Sequence, residues 1–342
     1  MTAPGSRAVL LGLLVLLLGL AASGCGRQSA DEAAAEAAKT EQADTSGDEA
    51  GETGAFEETL TGRVRADGSS TVGPFATAAA EAFRRENPDV RVSVGVSGTG
   101  GGFERFCAGE TDLSNASRPI EVDERQACRK QGIEYVELQV ASDGIAVVVN
   151  TKNDWVDCLS VAQLKRIWEP GSKIDNWRDL DPAFPDQKLS LSGPGTDSGT
   201  FDYFTGAIVG EEGKSRSDYS ATEDDNVVVR TVSGDRGGLG YFGLSYAEEN
   251  STRLKTLGVG DRGACVRPSA ETVQDGTYKP LSRPLFVYVK TSSLQRLEVE
   301  TFVQFLLDNQ AEVAKRALFV PLTDEQVDRS QAALDEALGG LG

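Results

Sequence analysis

The segment Gly193-Pro194-Gly195-Thr196-Asp197-Ser198-Gly199-Thr200 runs directly into Phe201-Asp202-Tyr203-Phe204. A small-residue loop that ends in Ser-Gly-Thr ahead of an aromatic-rich helical segment is suited to holding an oxyanion. The first amides of a helix have no intrahelical partner, and the macrodipole places partial positive charge there. Gly199 lets the backbone approach closely, and the hydroxyls of Ser198 and Thr200 add donors. Two further loops repeat this chemistry. Asp67-Gly68-Ser69-Ser70-Thr71-Val72-Gly73-Pro74 follows a predicted strand and opens a helix near Phe75, offering Ser70 and Thr71. Ser97-Gly98-Thr99-Gly100-Gly101-Gly102 also sits between a predicted strand and a helix, and its four glycines imply close approach of backbone to a ligand. No lysine follows those glycines, and the spacing is not that of a dinucleotide loop. Any one of these loops could be an ordinary capped turn. Three of them, with Arg118 nearby in Ala116-Ser117-Arg118-Pro119-Ile120, point to an anion. A guanidinium is a fixed charge with a planar fork suited to a tetrahedral oxyanion.

The elements that carry these loops alternate in type. Strands are predicted over 61–66, 90–96, 136–150, 188–192 and 284–290, and helices over 77–87, 161–168 and 294–308. The span 226–232 reads equally as strand or helix. Pro88 and Pro170-Gly171 stop two of the helices. This alternation predicts an α/β fold with mainly parallel sheets, whose ligands sit beyond the carboxyl ends of the strands. The 284 residues from Thr59 onward are long for one core and suit two lobes.

The ends and the composition narrow the function further. Arg7, the 14-residue apolar run Val9–Ala22 and the small residues before Cys25 read as an export signal. They resemble a lipobox in which Cys25 is lipidated, so that 1–24 is the signal and the chain is anchored outside the cytoplasm. Residues 26–58 carry ten carboxylates against Arg27 and Lys39, and read as an acidic disordered tether (25–58 with the lipidated Cys25). The formal charge of the chain is −19, of which the body beyond the tether holds −12. Such a body argues against nucleic acid as a partner but not against a small anion, which feels local loops more than distant screened charge. The four remaining cysteines favour two disulfides in an exported chain. Of three possible pairings, Cys107–Cys128 and Cys158–Cys265 are preferred, because the first two flank one compact segment. The chain has no histidine and no paired-cysteine spacing, so no metal site and no cofactor are expected. Missing histidine also removes the usual base for a serine nucleophile, which leaves a hydrolase built on Ser198 or Ser70 as a distant rival.

Taken together, Asp67–Val72, Ala116–Ile120, Gly193–Phe204 and Gly238-Leu239-Gly240-Tyr241-Phe242-Gly243 resemble the PstS-like phosphate-binding proteins of Pst-type ABC importers, in particular the branch called SphX. The resemblance implies a two-lobe type II periplasmic-binding fold that closes on inorganic phosphate about a hinge of two crossing strands. It assigns 59–148 plus 284–342 to lobe 1 and 149–283 to lobe 2, with a membrane permease as partner and a monomeric chain. Position by position it places phosphate against Ser70, Thr71, Ser97, Gly98, Thr99, Ser198, Gly199 and Thr200. This chain departs from the pattern twice. Pro194 stands where many members have an arginine, and Ser117 where many have an aspartate. Arg118 is therefore expected to supply the positive charge, beside Ser117. Asp143 is expected to supply the carboxylate, with Asp197 and Asp67 as alternatives. The rival ligand is another tetrahedral oxyanion such as sulfate, and the rival role is phosphate sensing.

Overall fold

The computed structural model describes residues 59–260 and 264–341; the predicted export signal, Cys25 and the whole of the predicted tether lie outside them. The chain first lays down β1 (Gly62–Gly68), α1 (Gly73–Glu86), β2 (Val90–Val94), α2 (Gly98–Cys107), β3 (Leu113–Ala116), α3 (Val122–Lys130) and the long β4 (Tyr135–Asn150). It continues through β5 (Cys158–Leu159), α4 (Val161–Trp168), α5 (Trp177–Leu180), β6 (Ser190–Pro194), α6 (Gly199–Phe204), β7 (Ser220–Thr222), α7 (Asp225–Gly234) and β8 (Gly238–Gly243). After α8 (Leu244–Glu249), β9 (Leu254–Thr256), β10 (Gly258–Val259) and α9 (Ala270–Gln274) it returns along β11 (Ser282–Lys290). Helices α10 (Leu297–Asp308), α11 (Gln310–Arg316) and α12 (Asp324–Gly339) complete the fold.

The principal sheet runs in the order β2-β1-β3-β11-β4-β8-β6-β7, with β9 also paired to β4. Parallel pairing holds at its two ends, β2-β1-β3 and β8-β6-β7. Antiparallel pairing is confined to neighbours of β4 and β11, the two strands that cross the middle. This is the expected α/β architecture, with the crossing strands joining two half-sheets. The buried side chains divide the same way. One core is drawn from Ile145 to Leu281 with Val320, and a second from Val64 to Ala141 and Leu285 to Leu334.

Sequence explains why β4 can cross both. Thirteen of its sixteen residues, all but Tyr135, Glu137 and Gln139, are buried, and Ile145–Val149 is completely buried. Each buried Val or Ile there contributes about 1.5–3 kcal/mol. The ambiguous span 226–232 is helical, within α7. The Asp224 carboxylate caps it by accepting from Asn226 N at 2.9 Å, and Val228, Val229 and Val232 form a helical stripe into the core. Tertiary burial here overrides the β preference of Val-Val-Val.

Both disulfides form in the favoured pairing. Cys107–Cys128 ties the end of α2 to α3, over a satellite core of Phe103, Phe106 and Tyr288. Cys158–Cys265 joins β5 to the segment beyond β10 across 107 residues. Closing loops of these lengths removes about 3 and 5 kcal/mol of chain entropy from the unfolded state on the loop-closure model.

Candidate functional site

Three strand-to-helix junctions meet at one cleft. In the first, Gly68 holds φ at +142°, and a Cβ there would lie 2.1 Å from the Asn115 carbonyl oxygen, so only glycine fits. The chain then turns through Ser69-Ser70-Thr71 into α1, whose start has no side-chain cap. In the second, Ser97 precedes α2 but does not cap it. Its hydroxyl donates instead to Asp67 Oδ1 at 2.6 Å, leaving the first amides of α2 uncapped at the cleft. Thr99 Oγ1 lies 3.1 Å from Ser117 Oγ and accepts from Ser117 N at 3.3 Å, which ties the second junction to the end of β3. In the third, Ser198 accepts from Thr200 N at 3.2 Å and caps α6. Gly199 presses on the first junction so closely that an added Cβ would lie 2.6 Å from Thr71 Oγ1.

These junctions enclose a cavity of about 610 Å³. Ser70, Thr71, Ser97, Gly98, Thr99, Ser117, Arg118 and Gly199 all line it. A second cavity, of about 300 Å³, shares the wall formed by Ser70, Thr71 and Gly199. Asp143, Ser198 and Thr200 open onto this smaller space, together with Asp197, Glu223 and Asp225. The structure therefore gathers the predicted residues around one wall but distributes them over its two sides.

Positive charge enters the cleft from a residue that the sequence reading passed over. Arg283 stands opposite Asp143 in the β11–β4 register. Its Nε and Nη2 both donate to Asp143 Oδ2 at 3.2 Å. Nη2 also donates to Thr71 Oγ1 at 2.7 Å and reaches the Gly199 carbonyl at 3.5 Å. The guanidinium lies 3.7 Å from the centre of the Tyr203 ring, whose hydroxyl donates to the Pro280 carbonyl at 2.6 Å. Ring stacking of this kind holds a guanidinium flat while leaving its edge free for a ligand. Burial lifts the Asp143 carboxyl above its ordinary value, and the adjacent Arg283 pulls against that lift.

Arg118 also lines the cleft, yet its charge is already engaged. Its guanidinium makes two 2.8 Å bonds to Glu124 and approaches Glu121 at 3.3 Å. The Glu124 bond is the main influence raising its pKa. Of the alternative carboxylates, Asp67 is bound by Ser97 and Arg105, and Asp197 is exposed. Ser282-Arg283-Pro284 carried one legible signal, an arginine heading an otherwise apolar strand. The predicted strand began one residue too late to include it.

Comparison with known proteins places this geometry in context. The family model described as a PBP superfamily domain matches residues 33–310. Protein SphX of Synechococcus elongatus is 50% identical over 262 residues, covering 76% of this chain and 77% of that protein. Phosphate-binding protein PstS of Staphylococcus saprophyticus is 40% identical over 280 residues, covering 81% and 86%. The crystal structure of a possible phosphate-binding protein from Planctomyces limnophilus superposes with a TM-score of 0.77 at 41% identity, over 82% of this chain and all but 1% of that one (99%).

Proposed function

The chain belongs to the PBP superfamily, among PstS- and SphX-type phosphate-binding proteins, and from that membership we propose that it captures inorganic phosphate between its lobes and delivers it to an ABC importer. The observation that carries this reading is the convergence of three helix starts and Arg283 on one cleft.

Binding proceeds by exchange of water for fixed donors. The hydroxyls of Ser70, Thr71, Thr99 and Ser117 and the open amides of α1 and α2 approach the anion from one lobe, and Gly199 and the start of α6 from the other. Arg283, paired with Asp143 behind it, supplies positive charge at the base of the cleft, and Arg118 acts at the rim. Many neutral donors hold a dianion tightly while leaving release to lobe opening. The lobes, 59–148 with 284–342 and 149–283, turn about β4 and β11. The export signal, lipidated Cys25 and acidic tether keep the monomeric body at the outer face of a membrane, where the permease collects the ligand. Proteins of this family bind and deliver a substrate and are not enzymes.

Titration calorimetry of the purified full chain, freed of phosphate, tests this. Phosphate heat with an inflection at one equivalent is the expected result. Absence of heat from a folded protein overturns it.

A further inference from the structure

Strands β4 and β11 join the half-sheets, and the buried side chains mark a further crossing beside them. Ala317 and Phe319 pack against the core that contains Val64 and Leu334, whereas Val320 is buried in the core that contains Ile145 and Leu281. Consecutive residues therefore belong to different cores. The chain leaves α11 through a turn in which Leu318 N donates to the Lys315 carbonyl at 3.0 Å and Phe319 N to that of Ala314 at 2.8 Å. Leu318 takes φ +62° where such a turn ordinarily has glycine, so the chain is redirected at a backbone cost. Val320 then pairs with Ser142 of β4, each amide donating to the other's carbonyl at 2.9 Å. On its other edge Ser142 faces Pro284 of β11, which has no N–H to offer.

Glutamine amides clasp this segment from both cores. Gln274, the last residue of α9, donates through Nε2 to the Pro321 carbonyl at 2.8 Å. Its own carbonyl accepts from Gln326 Nε2, in the first turn of α12, at 3.0 Å. Gln310 of α11 holds Leu322 N through Oε1 at 3.1 Å. Val273, next to Gln274, lies in the core of Ile145, and Leu334 of α12 in the core of Val64, so the clasp spans the two. Its bonds are made beside β4 and β11 rather than within them, and a rotation of one lobe against the other about those strands must stretch them. Leu318 and Phe319 also line the smaller cavity, on the side of the wall where Gly199 meets Thr71. We propose that residues 317–323 form a strap between the lobes, and that Gln274 is a positioning residue that clasps it, favours the arrangement in which Gly199 meets Thr71, and so slows phosphate release. This inference rests on the binding and closure reading above. Uncharged amides keep such a clasp independent of pH and little affected by salt.

Gln274→Met keeps the length of the side chain and removes its amide. In the full chain, release of radiolabelled phosphate into excess unlabelled phosphate gives the dissociation rate, and chemical denaturation gives stability. Loss of one net hydrogen bond from the closed arrangement should quicken release by about fivefold, with the association rate unchanged. Hydrogen exchange reads the same device without phosphate. Exchange should quicken not only at 317–323 but also at 70–73 and 199–201, segments to which Gln274 makes no hydrogen bond. A clasp that serves stability alone would quicken exchange at 317–323 only and leave the release rate unchanged, and that result overturns the proposal. If the wild type binds no phosphate, the binding reading fails separately. The strap is then judged by exchange at 70–73 and 199–201, where a faster rate supports it and an unchanged rate overturns it. If Gln274→Met does not fold, Gln274→Ala decides by the same measurements.

Discussion

Two cavities lie back to back against the wall of Ser70, Thr71 and Gly199, and they differ in their formal charge. The larger is lined by two arginines, two carboxylates and a set of hydroxyls and amides. The smaller is lined by Asp143, Asp197, Glu223 and Asp225, with no cation among its lining residues. On the binding reading proposed above, loops of one composition serve an anion on one side only. What differs is the charge placed behind them, and Arg283 stands at the boundary, with its partner Asp143 turned toward the acidic side. The lesson is that Ser/Thr-Gly loops permit anion binding, while the neighbouring formal charges decide where it occurs.

The comparison can be broken most forcefully at Arg283. Arg283→Ala should weaken phosphate binding by roughly a hundredfold or more and lower stability by about 3 kcal/mol, because it strands a buried carboxylate. Calorimetry and chemical denaturation would measure the two losses. If Arg118→Gln proved the more damaging change, the assignment of charge to Arg283 would fail. Thr71→Val removes a hydroxyl of the shared wall at nearly constant volume, and should weaken phosphate by about tenfold in the same titration. On the acidic side, burial with Asp224 and Glu223 nearby pushes Asp225 up to about 6. A carboxyl raised in the folded state binds more protons than in the unfolded chain, so its contribution is favourable at low pH and is lost as pH rises through about 6. Asp225→Asn should therefore stabilise the protein by roughly 1–2 kcal/mol at pH 8 and hardly at all below pH 4, with phosphate affinity unchanged. Thermal melts at the two pH values give the sign directly. The smallest effect is expected at Arg118→Gln, less than about threefold in phosphate affinity, because the guanidinium is already paired at a partly exposed rim.

How far the sequence discloses this arrangement depends on the range of the interactions involved. Local signals were sufficient for Val161–Trp168, where Ser160 and Gln163 form a capping box and Pro170 follows the last turn. They were also sufficient for the three loops, since glycine and hydroxyl residues between a strand and a helix mark a junction by themselves. The cysteine pairing was recoverable because Cys107 and Cys128 bracket a short segment. Arg283 was not recoverable in the same way. Its role follows from a register that sets it opposite Asp143, 140 positions earlier in the chain, and from contacts with Thr71, Gly199 and Tyr203. The separation of Ser198 and Thr200 from Ser97 and Thr99 likewise depends on how closely Gly199 approaches Thr71, a distance that no local pattern encodes.

The mounting of Arg283 has a kinetic consequence. Its backbone belongs to β11, opposite Asp143 on β4, whereas the hydroxyl loops ride on the half-sheets at either end. In the closure proposed above, a charge mounted on the axle of the jaws travels least as they swing. An arriving anion would then meet positive charge at the base of the cleft before closure as well as after it. On that proposal the rate of encounter depends little on the angle of opening, and the jaws are left to govern how long the anion stays.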